Sequence, residues 1–172
     1  MLSNNLRVQV PLAEASAYRF SPSAQQVWQQ AIQLAEQACG DRLTTSFILL
    51  VMVAQEQPTS QTLQRLQRYI QDHASAAYSG ISLAYVYWYR GSSSTPKSQS
   101  VKIEVMTDYC LHILELAQQL ASEQQQDIIH CRHLLSALLG YQPPAQGIAA
   151  GAGYLLTSIG LAPAVILSAA LS

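Results

Sequence analysis

The feature that most constrains this 172-residue chain is an internal repeat. A shift of 86 residues aligns Phe20–Ala54 with Met106–Gly140 without a gap. Self-similarity at a fixed offset implies two copies of one supersecondary unit, neither of which can bury its apolar face alone. Of the 35 aligned positions six are identical: Ala31/Ala117, Gln33/Gln119, Leu34/Leu120, Ala35/Ala121, Asp41/Asp127 and Leu49/Leu135. The apolar pattern carries more weight than the identities. Phe20/Met106, Val27/Ile113, Trp28/Leu114, Leu43/Ile129, Met52/Leu138 and Val53/Leu139 all coincide, and Phe47 falls opposite His133.

Each copy reads as a helix, a short loop and a second helix. In the first, Ser21 is placed to cap and Pro22 occupies the first helical position, where its missing N–H costs nothing. Ala24, Val27, Ala31, Leu34, Ala35 and Ala38 follow at three- and four-residue steps, and Gly40 ends the helix. In the second, Thr107 caps and Asp108 suits the positive end of the helix dipole. Cys110, Ile113, Leu114, Ala117, Leu120 and Ala121 repeat the stripe. The following helices, about Ser46–Gln55 and His133–Leu139, are apolar nearly all round and belong at the centre. A further helix opens at Pro58-Thr59-Ser60, and another follows a turn at Gly160.

Between the copies, Ile81–Tyr89 is β-branched and aromatic, and Gly91–Ser100 has linker composition. Val101–Val105 alternates, as does Leu6–Val10 near the start. These segments predict a β-hairpin, with Leu6–Val10 as a candidate third strand. The expected architecture is mainly α: one domain over 1–172, with helical units at 20–80 and 106–172 related by a pseudo-twofold. A small hairpin-and-linker insertion at 81–105 separates them, and roughly eight helices are expected in all.

Composition narrows the function. Nine Lys and Arg against ten Asp and Glu leave a net charge of −1, unlike a phosphate-binding nucleic-acid surface. Three cysteines, Cys39, Cys110 and Cys131, are too few for a disulfide scaffold and imply reduced thiols in a cytosol-like compartment. The 21 glutamines make much of the polar surface neutral amide, which repels weakly and favours association. Gly147–Leu171 is apolar, but Gly151, Gly153, Gly160 and Pro163 divide it, so buried helices are expected rather than a membrane span.

The run FSPSAQQVWQQAIQLAEQACGDRLTTSFILLVMV resembles a Clp N-terminal repeat, and MTDYCLHILELAQQLASEQQQDIIHCRHLLSALL resembles its second copy. LLTSIGLAPAVIL is similar to the end of that second copy. The resemblance implies an all-helical double Clp-N domain of the kind that fronts ClpA, ClpB and ClpC and receives substrates and adaptors. Stand-alone versions include the ClpT proteins of plastids, which bind the Clp protease complex. It therefore implies a non-catalytic accessory or adaptor, in cytoplasm or a stroma-like compartment. Its partners would be Clp ATPase or protease core subunits, or their substrates. Neither cofactor nor metal is implied.

Two departures stand out. The sequence holds no Gly-x-x-x-x-Gly-Lys-[Ser/Thr] loop to cradle nucleotide phosphates. Where Clp-N repeats often begin their second helix with Glu-His, Ser46-Phe47 and Arg132-His133 stand here. In some ClpC-type domains that glutamate docks a phosphorylated arginine. A neutral Ser46 and a cationic Arg132 imply that such tags are not read.

The partner surface expected from the sequence comprises Phe47, His133, Tyr85, Tyr87 and Tyr89. Tyr and Trp side chains are enriched at binding hot spots, and strand alternation would put the three tyrosines on one face, opposite Trp88. A competing enzyme or small-molecule reading uses His130, Cys131 and His133, with Cys110 and His112 nearby. Zinc needs four converging ligands, however, and the spacing positions no fourth. Asp41, Glu56, Asp108, Glu115 and Asp127 are scattered, with no pair set for acid–base work. Gly147–Gly153 lacks the strand and basic residue of a phosphate loop. A third reading is a membrane-associated regulator held through Gly147–Leu171.

Overall fold

A computed structural model describes residues 9–38, 40–90, 102–140, 156–157 and 159–171, and for 83–90 the backbone alone. Seven α-helices and one 3-10 helix lie among the described residues. They are α1 (Pro22–Gln37), α2 (Thr45–Ala54), α3 (Gln61–His73), α4 (Ser75–Arg90), α5 (Asp108–Glu123), α6 (Cys131–Gly140) and α7 (Pro163–Leu171). The 3-10 helix, Leu12–Ala17, precedes α1. The bounds of α1 and α2, moved by 86, are the bounds of α5 and α6.

The two copies meet along a seam whose backbone bonds obey the same offset. Ser21 N–H donates to the Ile129 carbonyl at 2.9 Å, and Ile129 N–H donates to that of Arg19 at 2.8 Å. Their counterparts are Thr107 N–H to Leu43 at 3.0 Å and Leu43 N–H to Val105 at 3.0 Å. Two parallel bridges, Phe20 with Ile129 and Leu43 with Met106, exchange under the same operation. Interchange of the first copy with the second is the signature of a pseudo-twofold.

The core is one cluster drawn from both copies. Ile48, Val51 and Met52 of α2 and Leu134, Leu135 and Ala137 of α6 are shut off from solvent, as helices apolar on all sides must be. The stripes Ala24, Val27, Ala31, Leu34, Ala35 and Cys110, Ile113, Leu114, Ala117, Ala121 bury the inner faces of α1 and α5. Neutral amides tie the outer layer down. Gln67 Nε2 donates to the carbonyls of Met52 and Gln55 at the end of α2, at 3.1 and 3.0 Å.

The helix ends carry local signals. Ser21 Oγ accepts from Ala24 N–H at 3.3 Å, with Pro22 at the first position. Thr107 holds the corresponding position, but its hydroxyl donates to Cys110 Sγ at 3.5 Å instead. α5 closes through Gln125 at φ 58°, with Gln126 N–H on the Ala121 carbonyl at 2.8 Å and Gln125 N–H on that of Ser122 at 2.9 Å. The turn into α7 repeats this closure at Gly160, φ 83°, with Leu161 N–H on Leu156 at 2.9 Å and Gly160 N–H on Thr157 at 3.0 Å.

One expectation is corrected. Ile81–Tyr89 is not a strand: α4 runs unbroken from Ser75 to Arg90, across residue 80. Tyr78 and Ile81, one helical turn apart, pack on the core, and that burial overrides the strand propensity of the aromatic run. The sheet lies elsewhere, pairing β1 (Gln9–Pro11) with β2 (Val105–Thr107) antiparallel, in register Gln9–Thr107, Val10–Met106 and Pro11–Val105. Of the strands that the alternation predicts, the N-terminal one and the one at Val105 pair with each other, and the aromatic run takes no part. The linker Gly91–Ser100 and the glycine-rich Gly147–Gly153 lie outside the described residues.

Candidate functional site

At the seam, the starts of α1, α3 and α6 surround a cleft of about 310 Å3. Ser21 and Ser23 are the cap and a first-turn residue of α1, and Ser60, Gln61 and Thr62 are the cap and first turn of α3. Gln126, His130, Cys131 and Arg132 come from the loop into α6 and its first turn. Ser23 and Thr59 share a hydrogen bond at 2.7 Å, which holds the α1 and α3 rims together. Ser60 caps α3 through Leu63 N–H, at 3.5 Å. The remaining wall is fixed by Ser21 N–H on Ile129, next to His130.

His133 sits directly behind this wall and is buried. Its Nδ1 accepts from His130 N–H at 3.0 Å, one arm of a capping box with histidine in the usual glutamate position. The ring proton is then on Nε2, which donates to Gln124 Oε1 at 3.0 Å. Arg132 Nε lies 3.5 Å from the same nitrogen. Burial first, then the charges of Arg132 and His130, press the His133 pKa down to about 4. This imidazole is therefore neutral and structural at physiological pH. It does not face the cleft.

Both described thiols are inert. Burial pushes Cys110 up to about 12 and Cys131 to about 11. Cys110 also donates to the Leu43 carbonyl at 3.5 Å, inside the seam. A nucleophilic thiol needs the opposite environment, electropositive and partly open. Among the described residues no group of three or more His, Cys, Asp or Glu could hold a metal ion. His112 pairs instead with Glu115 on the surface, 3.6 Å apart. No helix among the described residues is long and apolar enough to cross a membrane.

The residues singled out from the sequence are not brought together. Phe47 is half-buried on α2, beside Gly40, and does not line the cleft. Tyr85, Tyr87 and Tyr89 lie on α4, where residues 85 and 89 are one turn apart and 87 is on another side, so strand alternation no longer groups them. Sequence reasoning missed the cleft's hydroxyls. Their signal was present: Ser21 and Ser60 each precede a helix, and the seam brings these caps beside the start of α6.

No family model matches the sequence, and no curated protein matches it. The fold does have a solved counterpart. The chain superposes on the N-terminal domain of the caseinolytic protease associated chaperone ClpD from Arabidopsis thaliana with a TM-score of 0.55 at 16% identity. The match covers 89% of this chain and 95% of that domain. The protein has a Clp-N-like fold, mostly helical with a small antiparallel sheet.

Proposed function

We propose that this chain is a non-catalytic interaction module of a Clp chaperone–protease system, acting as an accessory or adaptor that binds Clp subunits or their substrate proteins. The observation that carries the reading is the fold likeness, which spans nearly the whole chain and nearly the whole ClpD domain. The buried, high-pKa thiols and the neutral structural His133 support binding over chemistry. Binding falls to the cleft at the seam and to exposed helix surface, with Phe47 and the tyrosines of α4 as additional contacts. The two repeat units, 20–80 and 106–172, act as one body, and reduced cysteines suit cytoplasm or plastid stroma.

Affinity capture on the immobilised full chain from native extract, followed by titration with the purified Clp ATPase and protease core, tests this. Recovery of Clp subunits and saturable binding to the purified component is expected. Recovery of none, together with no binding to either component, overturns the reading.

A further inference from the structure

The cleft at the seam carries one guanidinium, that of Arg132, and neither Asp nor Glu lines it. The Ala24 and Leu63 amides already meet the Ser21 and Ser60 hydroxyls, and the permanent positive charge in the cleft belongs to the Arg132 side chain. Arg132 donates through Nη2 to Gln126 Oε1 at 2.9 Å, and its Nε faces the His133 ring. Both neighbours are neutral, His133 because its pKa lies far below neutrality. Two other guanidinium groups meet carboxylates, Arg19 with Asp127 at 3.2 Å and Arg42 with Asp41 at 3.0 Å, whereas Arg132 has only neutral neighbours and points from a cleft wall. The pseudo-symmetric counterpart of Arg132 is the neutral Ser46. The two ends of the seam therefore differ in charge.

We propose that this cleft binds an acidic peptide segment, with an Asp or Glu carboxylate seated on Arg132. The inference rests on the interaction-module reading and names the ligand class for that site. Guanidinium and carboxylate form paired, charge-assisted hydrogen bonds that a neutral side chain cannot replace. The rest of the lining suits peptide backbone. Ser23, Gln61 and Thr62 each donate and accept, as a peptide unit's C=O and N–H require. A volume of about 310 Å3 takes one side chain with its adjoining backbone and is at the small end for ligand clefts. A nucleic acid or an anionic bilayer would call for several cations and, for single strands, stacking rings. The cleft has one guanidinium, no Lys and no Phe, Tyr or Trp.

The test is a titration of the full chain, followed by amide NMR shifts, with three blocked pentapeptides identical except for a central Asp, Asn or Arg. Saturable shifts at Gln61, Thr62 and Arg132 are expected with the Asp peptide. Binding to the Asn and Arg peptides should be about tenfold weaker or lost. Arg132→Gln should reduce Asp-peptide binding by about the same factor, and Arg132→Glu should favour the Arg peptide. Arg132 is exposed, so circular dichroism should show both variants folded. Equal binding of the three peptides, binding of none, or indifference to Arg132→Gln overturns the proposal. If it fails while purified Clp components still bind, the module reading stands; if neither binds, both fall.

Discussion

The start of α2 and the start of α6 share a backbone and little else. Phe47 N–H bonds the Thr44 carbonyl at 3.2 Å, and His133 N–H bonds that of His130 at 3.0 Å, at positions 86 apart. On that common frame α2 carries Thr45, Ser46 and Phe47, whereas α6 carries Cys131, Arg132 and His133. No side-chain cap closes α2, while His133 closes α6 and holds the cleft wall from behind. Gly40 lies beneath Phe47, where a Cβ would come within 3.0 Å of the Ala35 carbonyl oxygen. Its counterpart Gln126 bears a side chain that accepts from Arg132. The backbone seam and apolar stripe define the copy, and the polar start of α6 is where the side chains of the two copies diverge.

The largest test of that comparison is in the common core. Ile48→Ala and Leu134→Ala remove equivalent, fully buried side chains, and each should cost about 2–5 kcal/mol in urea denaturation. A negligible loss at one position only would break the equivalence of the copies.

The His133 capping box should make α6 acid-sensitive in a way α2 is not. Its folded pKa, about 4, is below the usual 6.5, so between those values the unfolded chain binds the extra proton. Stability should therefore fall as pH drops from 6.5 to 4, by about 1–2 kcal/mol for this group, and then level off. Glutamine also serves in a capping box, so His133→Gln should flatten this part of the pH–stability curve while keeping the fold. A variant with the same slope as wild type would assign the slope to another group.

Caps give a finer contrast. Ser21→Ala should cost about 1 kcal/mol, because its hydroxyl serves an amide. Thr107→Ala should cost less, since its hydroxyl meets only a thiol sulfur. Reversed order in thermal melts would contradict the assigned partners. The smallest effect belongs to Arg19→Gln, an exposed ion pair with Asp127 that the other copy lacks, at below about 0.5 kcal/mol.

Most of the helical frame was legible because it rests on local rules. The 86-residue offset, the Ser21-Pro22 start and the Gly160 turn each act through neighbouring residues, and each is where the sequence places it. Ile81–Tyr89 misled because strand propensity is weak wherever tertiary packing decides, and Tyr78 and Ile81 pack on the core. The alternation of Leu6–Val10 and Val101–Val105 offered a strand on each side, but their register, with residues nearly one hundred positions apart, is set by tertiary packing rather than by pattern. The cleft was legible only in pieces. Arg132 stood out as a departure and Ser60 as a helix start, but the seam that joins them is made of backbone bonds, which side-chain identity does not announce.

The central claim is that two copies form one body through a symmetric seam. Native-state hydrogen exchange at the amides of Ser21, Leu43, Thr107 and Ile129 tests it most directly. All four should exchange only with global unfolding, with matching free energies and one common response to denaturant. Faster exchange of the Ser21 and Ile129 amides than of the Thr107 and Leu43 amides, or of all four ahead of Ile48 and Leu134 in the core, would contradict it.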